Sequence, residues 1–308
     1  MQEISIDSLQ EFRIGHAQNE AARTGVTVLY FPDGARAGVD ISGGGPASRE
    51  TPLTSPLTAD NPIDAIVLSG GSAFGLAASD GVMQCLEEHG IGFDTGLFKV
   101  PLVVQSDIYD LTVGDGRVRP DTAMGREACE KALAGTDARM GRIGAGTGAT
   151  VGKFLGMEQA SDTGLGIYAA SFGDLYIAAV VVVNAIGDIY DSRTGQILAG
   201  VKEPSGRGFL SSTQLLESMI TSGSSQEAVT NTTIGAIITN AAFDKAQVNK
   251  LASMARSAYS RAIRPVGTMM DGDTIYFASA GQLKADINAV GALAAEVREE
   301  AIRRCAGT

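Results

Sequence analysis

The chain has 308 residues, 44% apolar and 19% charged, enough to bury a sizeable core as one large domain or two of about 100–200 residues each. Its formal charge of −11 argues against nucleic acid or an anionic membrane as partner, because both need a basic footprint. Three isolated cysteines without a CxxC pair (Cys85, Cys129, Cys305), and an N-terminus lacking the basic and apolar regions of a signal peptide, point to a reducing, cytoplasmic setting.

In chain order, 25–31 (GVTVLYF) and 36–42 (RAGVDIS) read as two strands between Gly and Asp turn signals. A short buried strand over 64–71 (DAIVLSGG) leads into a helix over 73–90, with Phe74, Leu76, Val82, Met83 and Leu86 on its apolar face and Gly90 as its stop. Another strand is expected over 100–106 and a glycine-closed helix over 123–135. The run LYIAAVVVVN (175–184) is apolar enough to require a strand buried on both faces. Residues 202–230 are polar and read as a linker holding one short helix; it ends at Asn231-Thr232-Thr233, where IGAIIT resumes as a core strand. Asp244 can cap a helix reaching about Ala262, with Val248, Leu251, Ala255 and Tyr259 on one face. Turn then strand follows over 265–279, and a helix with a basic end over 285–304. No run of about 18 apolar residues occurs, so no helix is expected to cross a bilayer. The fold class implied is mixed α/β with large central sheets.

Only two histidines are present, and no HExxH or Cys/His cluster, so neither a metal site nor a cofactor is expected. His89 follows the last turn of a helix, where it can interact with the carbonyl end; His16 reads as a turn residue. The cysteines read as small core residues.

The loop Gly144-Ala145-Gly146-Thr147-Gly148-Ala149 fits the looser dinucleotide fingerprint, but DARMGRI before it makes a poor strand. A P-loop fails, because Thr147 stands where glycine is needed and Phe154 where Ser or Thr is needed. Lys153 at the loop's end is either a donor to a site or a solvated surface lysine. Ser72 in GGSAFG lacks the closing glycine of a nucleophile elbow and reads as a helix cap.

A threonine hydroxyl needs a neighbouring base to act as a nucleophile, and an N-terminal threonine carries one in its own α-amine. Asn231-Thr232, at the mouth of a core strand after a polar linker, supplies that arrangement; a plain turn into a strand supplies it equally. Asp271 and Asp273 project to one side if a strand starts there, and could then orient the threonine and share protons; otherwise they form an exposed Asp-Gly turn. Asn184 ends the apolar strand, where its buried amide could donate to an oxyanion.

Taken together, TGVTVLYFPDGARAGVDISGG, LSGGSAFGLAASDGV, QSDIYDL, RIGAGTGATVGK, VVVVNAIG, NTTIGAIITNA and MMDGDTIYF stand in an order that resembles the self-processing hydrolases grouped with L-aminopeptidase/D-Ala-esterase/amidase and β-peptidyl aminopeptidases. Threonine and DGD are most similar to the endo-type 6-aminohexanoate-oligomer (nylon oligomer) hydrolases within that group. The resemblance runs from about Gly15 to the last helix. It implies a four-layer αββα sandwich, 1–308 as one hydrolase domain, and cleavage at Asn231–Thr232 into chains 1–231 and 232–308. It further implies Thr232 as nucleophile, with Asp271, Asp273, Asn184 and Lys153 as its catalytic companions and Tyr109 as a site residue. Ser72 and Phe74 lie where GGSAFG replaces a more aromatic family sequence, and are expected to shape the substrate pocket. Expected partners are a small amide or peptide substrate, with no nucleic acid and no membrane, in a homotetramer of processed heterodimers. Acyl transfer to an amine, as in ornithine acetyltransferases, and a non-catalytic ligand-binding protein are the alternatives.

Overall fold

The computed structural model describes residues 1–223 and 231–307. Nine principal strands are Arg13–Asn19 (β1), Thr24–Ile41 (β2), Ala47–Arg49 (β3), Ile63–Ser69 (β4), Val103–Asp107 (β5), Leu165–Phe172 (β6), Leu175–Asn184 (β7), Thr232–Ala241 (β8) and Thr274–Leu283 (β9). Six α-helices accompany them among the described residues: Ala78–Glu88 (α1), Thr122–Ala134 (α2), Ser212–Ser222 (α3), Lys245–Ala255 (α4), Ser257–Ala262 (α5) and Ile287–Arg304 (α6).

The strands form two faces joined through β2. One sheet runs β6-β7-β8-β9-β2; the other holds β1, β2, β4, β5 and β3. The first half of β2 pairs with β1 and β4, and its second half, Arg36 to Ile41, pairs antiparallel with β9. The two strands predicted over 25–31 and 36–42 are therefore one strand that passes from sheet to sheet, kinked at Gly34 with φ +70°.

Alternation along the strands divides the apolar side chains into three layers of core. Val180, Val182, Ile234, Ala236, Tyr276, Leu29, Phe31, Ile66 and Leu68 meet between the sheets. Val181, Val183, Ile237, Ile275 and Phe277 face α4, α5 and α6. Val26, Val28, Ala65, Val67 and Val103 face α1 and α2. Helix, sheet, sheet, helix is a four-layer αββα sandwich, and β7 is buried on both faces as its composition requires.

Several local expectations change. Three strands, β1, β3 and β6, went unread: charged and amide residues mask the first, the second is only three residues long, and Gly, Ala and Ser dilute the third. His16 lies buried in β1 rather than in a turn, its Nδ1 on Thr27 Oγ1 (2.9 Å) and its Nε2 on the Asp137 carbonyl oxygen (3.1 Å). Burial lowers its pKa to about 4, so it stays neutral. His89 does hold the carbonyl end of α1, through Cys85 O at 2.8 Å, and all three cysteines are buried. The expected helix over 73–90 begins as a 3-10 turn at Ser72–Ala77 before α1. Asp244 caps α4 in a full capping box, but the helix breaks at Arg256 and resumes as α5. The predicted linker contains α3 and a short strand pair, Val201–Lys202 with Phe209–Leu210; its last part, 224–230, lies outside the described residues.

Candidate active site

Strand register brings the sequence's scattered candidates to one place. Thr232 opens β8 directly opposite Asn184, the last residue of β7. On the other side β8 runs parallel to β9, whose pairing begins only at Ile234 with Thr274. The segment 268–273 therefore closes over the start of β8 as a loop, and Asp271 and Asp273 precede the strand instead of lying in it. Thr232, Lys153, Asn184, Asp271 and Asp273 are each at most 3% exposed.

The peptide before Thr232 is held at several points. Asn231 forms a parallel bridge with Asp271; its N–H donates to Met270 O (3.0 Å), and its carbonyl oxygen accepts from Gly272 N–H (2.8 Å). The Thr232 hydroxyl also donates to that Asn231 carbonyl oxygen. Thr232 Oγ1 thus rests on the carbonyl group of the peptide bond that precedes it. Gly272 permits the approach, since a Cβ there would sit 2.9 Å from Thr232 Oγ1 and from Gly45 O.

Neither aspartate makes an exposed turn. Asp271 accepts from Thr268 N–H (2.8 Å) and Thr268 Oγ1 (2.7 Å), while Asp273 accepts from Thr233 N–H (2.6 Å) and Gly267 N–H (3.0 Å). Burial raises the pKa of both, and the neighbouring Asp271 raises Asp273 further.

Lys153 is not a surface lysine. Its Nζ donates to the Asn184 carbonyl oxygen (2.9 Å) and to Asn184 Oδ1 (2.8 Å). Burial lowers its pKa to about 7, against the opposing pull of Asp271 and Asp110. Asn184 Oδ1 also accepts from the backbone N–H of Thr150 (3.0 Å), which fixes the amide's orientation because that partner can only donate. Asn184 Nδ2 donates to Tyr109 O at 2.8 Å.

Across all but the chain's first few residues, 5–306 match the model of peptidase family S58. The chain belongs to peptidase family S58. It is 37% identical over 279 residues to an uncharacterised aminopeptidase of Mycobacterium leprae, covering 86% of this chain and 73% of that protein. It is 33% identical over 306 residues to the 6-aminohexanoate-oligomer endohydrolase of Kocuria sp. strain KY2, covering 95% and 83%. The fold matches the L-aminopeptidase/D-Ala-esterase/amidase of Ochrobactrum anthropi, a variant of the Ntn-hydrolase fold, with a TM-score of 0.70 at 18% identity over 98% of this chain and 85% of that one. An S58 member with such relatives is an amide-bond hydrolase.

In this S58 peptidase the remaining candidates lie on neighbouring loops. Tyr109 is half-buried and reaches the site through its carbonyl. Ser72 is not a helix cap: its side chain makes no capping bond, and it is the first residue of the 3-10 turn with φ +53°, after Gly71. Its N–H donates to Ile108 O (2.9 Å), which ties the loop to the residue before Tyr109. Phe74 is 57% exposed, with the Arg119 guanidinium 3.6 Å above its ring. The loop 144–149 opens no α-helix; Gly144 and Gly146 instead let it pack against Thr27 and against Leu165, so no dinucleotide cradle forms.

Sequence reading missed the supports of the DGD loop. Ser42 N–H donates to Asp273 O (3.0 Å), Gly44 N–H to Thr268 O (3.1 Å) and Gly45 N–H to Asp271 O (2.9 Å). A Cβ on Gly43 would fall 2.3 Å from Asp271 O and Asp273 N. The run of three glycines was the available signal for such a close approach.

Proposed function

We propose that this chain frees Thr232 as an N-terminal nucleophile by cutting its own Asn231–Thr232 bond, and then hydrolyses amides of peptides or linear ω-amino-acid oligomers. The contact of the Thr232 hydroxyl with the Asn231 carbonyl, at the head of a buried strand, carries this reading. In self-cleavage Thr232 Oγ adds to the Asn231 carbonyl carbon, the C–N bond breaks, and the nitrogen takes the hydroxyl's proton. Water then opens the ester, leaving Asn231 with a carboxyl group and Thr232 with a free α-amine.

In turnover the α-amine accepts the Thr232 hydroxyl proton as Oγ attacks the substrate carbonyl. That proton passes to the leaving amine, and water hydrolyses the acyl ester. Asp273 fixes the backbone at Thr233, and Asp271 braces the loop beside it. Gly272 N–H and the second N–H of Asn184 are the donors available to an oxyanion. Lys153, close to neutrality, assists proton movement at the amine. Ser72, Phe74 and Tyr109 line the approach for the substrate.

Intact-mass measurement with N-terminal sequencing tests the first step. The expected outcome is two chains, the smaller of 308 − 231 = 77 residues beginning Thr-Thr-Ile-Gly. Thr232→Ala should remain one chain and lose at least about 10³-fold in amide hydrolysis. A variant cleaved and active like the wild type would remove Thr232 from both steps.

A further inference from the structure

Residues 109–120 form a loop that begins and ends beside the candidate site. At its start Tyr109 O accepts from Asn184 Nδ2 (2.8 Å), and the Asp110 carboxylate accepts from Gly71 N–H (2.7 Å) and Thr24 Oγ1 (2.7 Å). At its end Pro120 packs on Gly71, where a Cβ would fall 2.8 Å from the proline Cδ. Between these points Val113 N–H donates to Asp110 O and Val118 N–H to Asp115 O, both at 3.0 Å. The loop is thus braced from within and fixed to the Gly71-Ser72 turn that leads to Phe74.

Arg119 projects from this loop onto the exposed Phe74 ring, its guanidinium carbon 3.6 Å from the ring centre. Its Nε–H donates to Gly116 O (2.8 Å). Those two contacts orient the guanidinium and leave both terminal nitrogens without a hydrogen bond among the described residues. No carboxylate there pairs with it, although Arg23, Arg49, Arg126, Arg256 and Arg303 each have one. The acidic residues nearest to it along the chain are engaged elsewhere. Asp115 accepts from Arg117 N–H (3.0 Å), and Asp121 caps α2 through Met124 N–H (2.9 Å). A planar fork held flat on an aromatic face, with its outer donors open, is shaped for a carboxylate.

The polarity of amide substrates says which carboxylate this is. In a peptide or an ω-amino-acid oligomer the acyl portion carries the amino end. The portion that leaves as an amine carries the carboxyl end. On the reading proposed above, Thr232 attacks beside Asn184, and the substrate approaches past Tyr109, Ser72 and Phe74.

We infer that Arg119, held by Phe74, binds the free carboxylate of the leaving portion, and so favours substrates with a C-terminal carboxylate over the corresponding amides. The number of methylenes between amine and carbonyl does not enter, so the preference holds for α-peptides and ω-amino-acid oligomers alike. Arg119 stands outside the segments that carry the family resemblance, and Phe74 lies where GGSAFG departs from it.

The test uses wild-type enzyme whose two chains have been verified by mass. Alanyl-alanine and the linear dimer of 6-aminohexanoate are each compared with their C-terminal methylamides, following the amine released at the inner bond. For whichever pair is turned over, the acid should exceed the methylamide in kcat/KM by about 10-fold or more, mostly through KM, as one charge-assisted pair provides. In processed Arg119→Gln the ratio should fall to about 1; Arg119→Met, of similar length and without charge, serves if the Gln variant does not fold. A merely structural role would lower both substrates together and leave the ratio standing. A wild-type ratio near 1 or below, a ratio unchanged in the processed variant, or no turnover of either acid by an enzyme active on an amino-acid p-nitroanilide would overturn the carboxylate assignment alone. An uncut chain without amide turnover would overturn the Thr232 reading, and this assignment with it.

Discussion

A lysine ammonium buried to 3% exposure, with carbonyl and amide oxygens as its hydrogen-bond partners, sheds its proton far more readily than one in water. For Lys153 the native pKa of about 7 lies below the ordinary 10.5, so between those values the unfolded chain binds the extra proton. The lysine's cost to stability is therefore fully present below pH 7 and is relieved as pH rises toward 10.5. In an uncut Thr232→Ala background, Lys153→Met should melt higher than its parent at pH 6, and the gap should narrow steadily by pH 10. The Met side chain fills similar volume without the charge. With Thr232 intact, Lys153→Met should slow self-cleavage and remove a rise in its rate centred near pH 7. A wild-type rate with an unchanged pH profile would take Lys153 out of the proton path.

At the scale of elements, the break between α4 and α5 accompanies a contact the site uses. Thr233 comes before β8–β9 pairing begins, and side chains take both of its main-chain groups. Its N–H goes to Asp273, and its carbonyl oxygen accepts from Tyr259 OH of α5 at 2.7 Å. Arg298 of α6 donates to the same Tyr259 hydroxyl and lies 4.4 Å over its ring, although it is fully buried. Tyr259→Phe leaves the Thr233 carbonyl and the Arg298 guanidinium each short of a partner. It should cost about 1–3 kcal/mol in urea unfolding of the uncut Thr232→Ala protein; a change below about 0.5 kcal/mol would mean that water takes over the hydroxyl's place. Periodicity placed Tyr259 on the buried face with Val248, Leu251 and Ala255, and the strands β7 and β8 were legible from β-branched runs. Arg298 was not, because an apolar helix face gives no sign that a charged residue within it turns inward. β1 and β6 escaped for the converse reason, as buried strands whose residues lack a strand's usual composition. Residue chemistry offered Thr232, Asn184 and the DGD pair as candidates beside plainer readings, and motifs held in order singled them out. The clamp of 42–45 on that loop rests on a long-range register that spacing along the chain cannot express.

For the whole molecule, the proposed cut at Asn231–Thr232 falls inside a sheet and not between separable parts. The smaller product begins with β8, which lies between β7 of the larger product and its own β9, and β9 in turn pairs with β2 of the larger product. Its helices α4 and α6 cover β2, β6 and β7, so apolar faces of each product are completed by the other. The ladder from Ile177–Thr239 to Asn184–Thr232 and the core on both of its faces remain after one peptide bond is lost. The conformational freedom of two new ends and the translational and rotational freedom of two separate chains favour separation, and they are outweighed by the apolar area held across β8. The products should therefore co-elute as one unit under native gel filtration, unfold in a single thermal transition, and separate only in denaturant. A 1–231 chain expressed alone should expose the β7 edge and the apolar faces that β8, α4 and α6 cover, and should aggregate. Recovery of that chain as a soluble, cooperatively folding protein would mean that β8 and β9 dock on a finished fold, and that cleavage could release an active part rather than only free a nucleophile.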